Sequence, residues 1–249
     1  LKEVDLIAAE DTRHSIKLLN HFNIKTPMTS YHEFNKIDKA KNLVNKLLEG
    51  INIAVVTDAG TPGISDPGEE VIKKAIEEKI EVIPIPGACA MINALIASGI
   101  NTSEFNFLGF LPLNKKLRKE KLEEIKKSEK TIIIYEAPHK MKSTLQDLKN
   151  ILENRKIVLA RELTKIHEEF IRKNIDEILS EIDNLKGEMI LIIEGAAKVE
   201  YEENDLNKLS LDEHYKFYEK QGLDKKEIIK KIAKDRNVNK NEIYQHFIK

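Results

Sequence analysis

The stretch best suited to ligand chemistry directly follows an apolar, β-branched run. Residues 57–68 read TDAGTPGISDPG and come after INIAVV at 51–56. Open α/β sheets bind ligands just beyond the carboxyl ends of their strands, and glycines there let the backbone approach a ligand closely. We therefore expect Asp58 at the tip of a strand, facing a ligand. The competing interpretation is a tight strand-to-helix turn that binds nothing.

The end of the same stretch carries the signals of a helix start. Asp66 is expected at the N-cap, Pro67 at the first helical position, and Glu69 as the capping-box partner. No Gly-Lys-Ser/Thr follows at P-loop spacing, and the G-x-G-x-x-G dinucleotide pattern is absent. Kinase and dehydrogenase functions therefore lose support.

A second junction of this kind lies at 84–90, PIPGACA, after an apolar run at 80–85 that predicts a strand. Pro86 ends the run and Gly87 permits a close approach. Cys89 could be a nucleophile, but a single cysteine without an evident base is more often inert. The lone cysteine also excludes a Cys-cluster zinc site, and no H-E-x-x-H spacing occurs, so we expect no metal.

Two dense polar clusters, AEDTR at 9–13 and SYHE at 30–33, follow apolar elements. In one interpretation they form a surface for phosphate and ribose, with Arg13 as a forked donor. In the other, Asp11 or Thr12 caps a helix and Arg13 forms a surface ion pair that contributes little. His32, taken singly, is more often a hydrogen-bonded structural histidine than a base. The residue types leave these alternatives open.

Short apolar runs alternate with helical patterns throughout, which is typical of parallel α/β architecture. Strands are predicted at 6–9, 51–57, 80–85, 131–136, 157–162 and 188–194. We predict an N-terminal α/β domain at 1–112, a second α/β domain at 113–199 and a basic helical tail at 200–249. The sequence contains no apolar run of the roughly 18 residues that a membrane span needs and no visible signal peptide, which predicts a cytoplasmic protein.

The overall charge is balanced, with 41 Lys and Arg against 42 Asp and Glu, which argues against a polycationic wrapper of nucleic acid. Two segments are locally basic: 114–130 has eight basic and four acidic residues, and 215–249 has ten and five. The tail is either a packed appendage with a solvated face or a helix-turn-helix-like module that contacts RNA. In the second case Lys225, Lys226 and Lys230 are the candidate RNA contacts.

Taken together and in order, these segments resemble the tetrapyrrole-methylase class of S-adenosylmethionine-dependent methyltransferases. The closer similarity is to members that methylate a cytidine ribose 2′-hydroxyl in small-subunit ribosomal RNA. The resemblance spans almost the whole chain and ends in the basic tail. The motifs are AEDTR at 9–13, SYHE at 30–33, DAGTPGISDPG at 58–68, PIPG at 84–87, GFLP at 109–112, YEAPH at 135–139 and ARELTK at 160–165.

The resemblance implies two αβα domains with the cofactor, S-adenosyl-L-methionine, in the cleft between them, and a homodimer that acts on small-subunit ribosomal RNA or the 30S subunit. The general base is expected to be Asp11 or His32, with Arg13 on a phosphate; Glu136 and Glu162 remain alternatives. The cofactor positions of the family correspond to Asp58, Ala59, Gly60, Ile64, Cys89, Ala90, Tyr135, Leu163 and Gly187.

This sequence departs from the family pattern in two ways. The family begins with a strand and a T-P-I-G-N loop beside the cofactor, and neither is found here, so we expect residues to precede Leu1. Cys89 stands where relatives often have serine. The alternative functions are methylation of a tetrapyrrole or of a diphthamide precursor, whose enzymes lack AEDTR and the basic tail, and RNA binding without catalysis.

Overall fold

A computed structural model describes residues 1–152, 155–197 and 206–247. The chain divides into two compact units, Leu1–Ala196 and Ala197–Lys249. No helix in the described part of the chain is both long and apolar enough to cross a bilayer.

The first sheet of the larger unit has three parallel strands in the order β2-β1-β3. Its central strand β1 is fully buried at Ile7, Ala8 and Ala9, which explains why it reads as a continuous apolar run. Strand register places the last residues of all three strands at one edge of the sheet. The elements are β1 Leu6–Ala9, α1 Thr12–His21, β2 Met28–Ser30, α2 Lys36–Leu48, β3 Ile53–Val56, α3 Glu69–Glu77 and α4 Ala90–Ile96.

The predicted strand at 80–85 is wrong. Residues 81–89 belong to no helix or sheet, and Ile85 is 80% exposed although it is apolar. A strand needs a neighbour for its backbone groups. Strand β3 is the edge of the first sheet, and no hydrogen bond joins it to this segment among the described residues. The segment therefore has the apolar pattern of a strand but no pairing partner.

The second sheet has five strands in the order β4-β5-β8-β6-β7. Only β4 and β5 pair in parallel; the remaining pairs are antiparallel, which corrects the expectation of parallel architecture throughout. Strand β4 precedes the predicted boundary at 112 and yet pairs with β5. The elements are β4 Phe105–Phe110, α5 Lys115–Lys127, β5 Thr131–Glu136, α6 Pro138–Leu152, β6 Ile157–Arg161, β7 Glu169–Ile171, α7 Ile175–Glu181 and β8 Met189–Ile193.

Side chains alternate between the two faces of the second sheet, and a hydrophobic core covers each face. Ile132 and Ile134 face a core that includes residues of α5, α6 and α7. Ile133 faces the opposite core, to which Ala94 and Leu95 of α4 belong. Helix α4 follows the first sheet in sequence but packs on the second, so it connects the two halves of the larger unit. The loops at its start are thereby held beside the second sheet.

The smaller unit consists of three described helices, α8 Leu211–Glu219, α9 Lys225–Asp235 and α10 Lys240–His246. Ser210 with Glu213 forms a capping box at the start of α8. A four-residue connection at 236–239 joins α9 to α10. His214 is fully buried, and its Nε2 lies 3.2 Å from Asp235 Oδ2. Burial lowers the pKa of His214 and so favours the neutral ring. The prediction of a helical C-terminal extension is confirmed.

Candidate active site

The edge of the first sheet brings three acidic residues together. The backbone N–H of Asp11 donates to Asp58 Oδ1 at 3.3 Å, and the N–H of Asp58 donates to Glu10 Oε2 at 3.3 Å. Thr57 Oγ1 also donates to Glu10 Oε2, at 2.5 Å. The carboxylate of Glu10 therefore joins the ends of β1 and β3. The structure places Asp58 at the strand tip, as the sequence predicts.

Asp66 lies in the same acidic group, and the expected N-cap role for it is wrong. Gly68 occupies the N-cap of α3, where a Cβ would come within 2.8 Å of the nitrogen of Gly63. The tight packing of these glycines shifts the helix start by two residues. The Asp66 carboxyl lies beside Thr57 instead. Partial burial raises its pKa, and Glu10 and Asp58, followed by Glu188 from the second sheet, raise it further.

The two glycine-containing bends expected to approach the same ligand lie against each other. Thr61 Oγ1 donates to the carbonyl oxygen of Ala88 at 2.8 Å. Gly60 adopts a φ of +81°, and a Cβ there would lie 3.4 Å from the same oxygen. Ala59 and Ile64 of the first bend are exposed. Residues 57–68 and 86–90 thus form one continuous surface.

That surface continues onto the second sheet through Tyr135. The N–H of Met91, in the first turn of α4, donates to the Tyr135 hydroxyl at 3.1 Å. Burial is the main cause of the raised pKa of Tyr135, and Cys89 contributes through its charge. Cys89 is the N-cap of α4 without a side-chain capping bond, and Ala90 is the first helical residue. Leu163 packs against the same core as Tyr135.

The loops after β6 and before β8 are packed tightly together. Gly187 has a φ of +91°, and a Cβ there would lie 2.1 Å from Glu162 Oε1. The same oxygen accepts the N–H of Glu188 at 2.9 Å and lies 3.1 Å from Lys165 Nζ. Glu162 and Thr164 both have positive φ, at 50° and 67°. Strained non-glycine backbone of this kind is concentrated at functional sites.

Asp11 and Arg13 form a forked ion pair at the start of α1. Arg13 Nη2 lies 2.7 Å from Asp11 Oδ2, and Arg13 Nε lies 3.1 Å from Oδ1. Asp11 also caps the helix, because its Oδ1 accepts the N–H of Arg13 at 2.8 Å. These hydrogen bonds hold the pKa of Asp11 far below its usual range. A carboxylate so stabilised is a weak proton acceptor.

His32 follows the end of β2, next to the segment that contains Asp11. Its backbone N–H donates to Asn35 Oδ1 at 2.9 Å, and its Nε2 lies 3.2 Å from Asn35 Nδ2. Asn35 therefore donates to Nε2, which places the ring proton on Nδ1. That nitrogen is buried and has no hydrogen-bond partner among the residues described.

The predicted RNA contacts belong to the smaller unit, where Lys225, Lys226 and Lys230 are exposed on α9. Lys225 Nζ also donates to the carbonyl oxygen of Phe247 at 3.2 Å. In the larger unit, the contacts described above bring the predicted cofactor residues into one neighbourhood, from Asp58 to Tyr135 and on to Leu163.

The sequence interpretation missed three acidic side chains of this neighbourhood, Glu10, Asp66 and Glu188. Glu10 and Asp66 could have been found, because each lies inside a motif already selected for Asp11 or Asp58. Glu188 directly follows the predicted Gly187, but only the structure shows that it lies close to Asp66. Across residues 1–152, 155–197 and 206–247, no cluster of three or more His, Cys, Asp or Glu suited to a metal occurs.

Comparison with known proteins identifies the class. A family model described as Tetrapyrrole (Corrin/Porphyrin) Methylases matches residues 1–179. Among solved structures, the methyltransferase CobJ superposes with a TM-score of 0.59 at 18% identity, covering 78% of this chain and 84% of its own. Diphthine synthase superposes with a TM-score of 0.58 at 9% identity, covering 78% and 80%. At these identities the structures establish the fold alone.

The chain belongs to the tetrapyrrole (corrin/porphyrin) methylase family. A relative from Halalkalibacterium halodurans named ribosomal RNA small subunit methyltransferase I is 51% identical over 247 residues, which are 98% of this chain and 86% of that protein. The protein of the same name from Bacillus subtilis is 47% identical over 251 residues, 99% of this chain and 86% of its own. The predicted fold class, family and methyltransferase activity are confirmed.

The residues of the site fit the predicted cofactor. One solved neighbour, uroporphyrin-III C-methyltransferase from Thermus thermophilus, is described with S-adenyl homocysteine, at a TM-score of 0.52 and 12% identity over 78% of this chain and 87% of its own. In this chain, Gly60 leaves room against Ala88 that a side chain would fill. Asp58 lies two residues before Gly60 and close to Asp66, and anionic groups complement a positively charged sulfonium.

Proposed function

We propose that this chain uses S-adenosylmethionine to methylate the ribose 2′-hydroxyl of a cytidine in small-subunit ribosomal RNA. The observation that carries the proposal is the 51% identity with a relative named for methylating that RNA. The adjoining bends at 57–68 and 86–90 and the Tyr135 hydroxyl support it, since the resemblance assigns the cofactor to these parts and they lie next to one another.

S-adenosylmethionine supplies a methyl group that is already activated on a sulfonium. The protein therefore mainly has to orient the 2′-oxygen and to remove its proton. Orientation alone contributes about 7–11 kcal/mol in well-aligned reactions. In this proposal the loops around Asp58, Gly60 and Ala88 hold the methyl donor, and the packed loop of Glu162 and Gly187 closes the opposite side.

The proton of the 2′-hydroxyl passes to the carboxylate of Asp66 in our proposal. A partly buried carboxyl surrounded by other carboxylates is a stronger base than a solvated one, and the pKa of Asp66 is raised for this reason. Asp11 and His32 stay alternative candidates. The ion pair makes Asp11 a weaker base, so we infer that it orients Arg13, whose guanidinium contacts a substrate phosphate.

The decisive measurement is methyl transfer to small ribosomal subunits from a strain that lacks this modification. We expect incorporation of one labelled methyl group, mapped by mass spectrometry to the ribose of a cytidine. Transfer to a porphyrinoid or to an elongation factor instead would assign the chain to the tetrapyrrole or diphthamide branch. Absence of S-adenosylmethionine binding in calorimetry would leave an RNA-binding protein without catalysis and would refute the proposal.

The basic face of α9 is proposed to contact RNA phosphates. We expect glutamine at Lys225, Lys226 and Lys230 together to weaken RNA binding in a salt-dependent manner. The slope of log K against log salt should fall by about 0.7 for each phosphate of single-stranded RNA that the variant no longer neutralises. Filter binding at several salt concentrations measures both quantities.

A matched control for this experiment replaces three exposed lysines of α2 and α3, Lys41, Lys46 and Lys73, with glutamine. This variant loses the same net charge, so a purely global effect of charge would weaken RNA binding equally. An equal loss of slope in the two variants would contradict a specific role for α9.

The proposal also covers the oligomeric state, the cellular location and the form of the RNA substrate. We infer that the chain acts in the cytoplasm as a homodimer, on ribosomal RNA that is either free or within the 30S subunit. These inferences rest on the resemblance of the motifs at 9–13, 58–68 and 160–165 to the family.

A further inference from the structure

An aromatic side chain stands exposed next to the proposed cofactor site. Phe110 is the last residue of β4 and is 56% exposed. Its ring centroid lies 5.9 Å from that of Tyr135, in an edge-to-face arrangement at 70°. The hydroxyl of Tyr135 in turn binds the start of α4. Phe110 therefore lies at the solvent end of an aromatic row that leads into the site.

A backbone irregularity directs this ring toward the site. In a regular strand, residues three apart point to opposite faces of the sheet. Phe107 and Phe110 nevertheless both contact Tyr135, with ring centroids 4.8 and 5.9 Å from it. The register of β4 against β5 shifts between these two residues, where Gly109 has a φ of +61°. Bulges occur next to active sites, where they redirect side chains, and are rare in parallel pairs.

The segment after Phe110 carries unpaired positive charge. Four residues separate Phe110 from Lys115, the first residue of α5, so the Cα atoms of these two residues are at most about 18 Å apart. Lys115, Lys116 and Lys119 are exposed there, and none forms an ion pair with a carboxylate of the described residues. The neighbouring Arg118 differs from these lysines because it forms an ion pair with Asp147.

The position of these lysines is unfavourable for the helix itself. The first turn of α5 contains no acidic residue, and Lys115 and Lys116 occupy it. Positive side chains at a helix N-terminus oppose the helix dipole, which favours anions there. The fold therefore gains nothing from these charges at this place, whereas a bound polyanion would be attracted to them.

We propose that Phe110 stacks on a base of the RNA substrate and that Lys115, Lys116 and Lys119 contact phosphates of the same strand. The inference rests on the proposed function and identifies the surface that receives the RNA. Unpaired RNA is recognised by aromatic rings that stack on splayed bases and by cations that follow the backbone. A ring that served only the adenine of the cofactor would not account for three unpaired lysines in the segment that follows it.

The test compares Phe110→Ala and Phe110→Trp with Phe22→Ala, whose ring is 53% exposed at the end of α1. Binding to small ribosomal subunits is measured by filter binding, and binding of S-adenosylhomocysteine by calorimetry. We expect Phe110→Ala to weaken RNA binding about 5- to 150-fold, the range for loss of one stacked base. Phe110→Trp and Phe22→Ala should remain near the unmodified chain, and cofactor affinity should not change.

Two results would overturn the inference. One is unchanged RNA affinity of Phe110→Ala. The other is a loss of S-adenosylhomocysteine affinity with RNA binding intact, which would mean that the ring stacks on the cofactor. Replacement of Lys115, Lys116 and Lys119 by glutamine, at exposed positions, tests the same surface if Phe110→Ala does not fold, and unchanged RNA affinity there would also overturn it.

Failure of the proposed function gives a different pattern. In that case the unmodified chain itself neither binds S-adenosylhomocysteine nor transfers a methyl group, and the inference falls with it. If the unmodified chain transfers methyl groups and Phe110→Ala behaves identically, only the inference about Phe110 is refuted.

Discussion

Asp66→Asn is expected to slow single-turnover methyl transfer by about 10²–10⁴, the contribution typical of a general base. The substitution keeps the size of the side chain beside Thr57, but it removes the proton acceptor. Binding of S-adenosylhomocysteine, measured by calorimetry, should persist. A rapid-quench assay with labelled cofactor and small ribosomal subunits measures the chemical step.

Asp66→Asn is expected to lower activity without lowering the stability of the fold. The folded-state pKa of Asp66 is raised, so its ionised form is less favourable in the folded chain than in the unfolded chain. Its contribution to stability is therefore lost as pH rises through the folded pKa. Asparagine removes that ionisation, and we expect the melting temperature of Asp66→Asn at pH 7 to equal or exceed that of the unmodified chain. Loss of activity through unfolding would give the reverse.

Asp11→Asn is the matched control, because the pKa of Asp11 is shifted the other way. Arg13 lowers it, so the contribution of this carboxylate is present above its ordinary pKa and is lost as pH falls through the lowered one. We expect Asp11→Asn to be less stable at pH 7 and to retain most of its single-turnover rate. If Asp11→Asn or His32→Gln shows the large loss of rate and Asp66→Asn does not, the base is Asp11 or His32.

The parts of the fold that the sequence predicts well are those fixed by local pattern. Strand β5 is predicted at 131–136 and occurs there, because its apolar run is buried on both faces of a sheet. The helical tail is also predicted, and Ile228, Ile229 and Ile232 of α9 belong to the core of the smaller unit. In these segments the positions of the apolar residues alone are enough to predict which element forms.

The errors concern features that depend on distant parts of the chain. The run at 80–85 has the composition of a strand but lies without a neighbour, and composition cannot supply one. The antiparallel pairing of β8 with β5 and β6 is likewise a matter of chain path. Asp66 matches the N-cap pattern, yet packing of Gly68 against Gly63 places the helix start at Glu69.

The sequence predicts members of the candidate site only through the motifs. The chemical role of each residue depends on contacts that only the structure shows. The order of the motifs predicts Asp58 and Tyr135 as members of one site, although no local signal joins positions so far apart. The roles inside the site depend on partners. The sequence leaves Asp11 open between a general base and a helix cap, whereas the structure shows it capping α1 and paired with Arg13, which makes it a weak base.

Gly187→Ala is expected to give the largest loss of stability at the site, about 2–5 kcal/mol. A positive φ costs a side chain about 1–2 kcal/mol, and overpacking typically adds about 1–3 kcal/mol. The new Cβ would lie 2.1 Å from Glu162 Oε1, so Glu162 must release the N–H of Glu188. Because this loop closes the proposed cofactor site, S-adenosylhomocysteine should bind at least about tenfold more weakly. Urea denaturation and calorimetry measure the two effects.

Gly50→Ala separates the two causes, since Gly50 has a φ of +90° but no atom lies within 4 Å of the place that a Cβ would take. It should lose only the conformational part, about 1–2 kcal/mol, and keep full cofactor affinity. In a Glu162→Ala background the clash is absent, so Gly187→Ala should then lose no more stability than Gly50→Ala does. Equal losses for Gly187→Ala with and without Glu162 would show that the contact between these two loops does not hold the site in place.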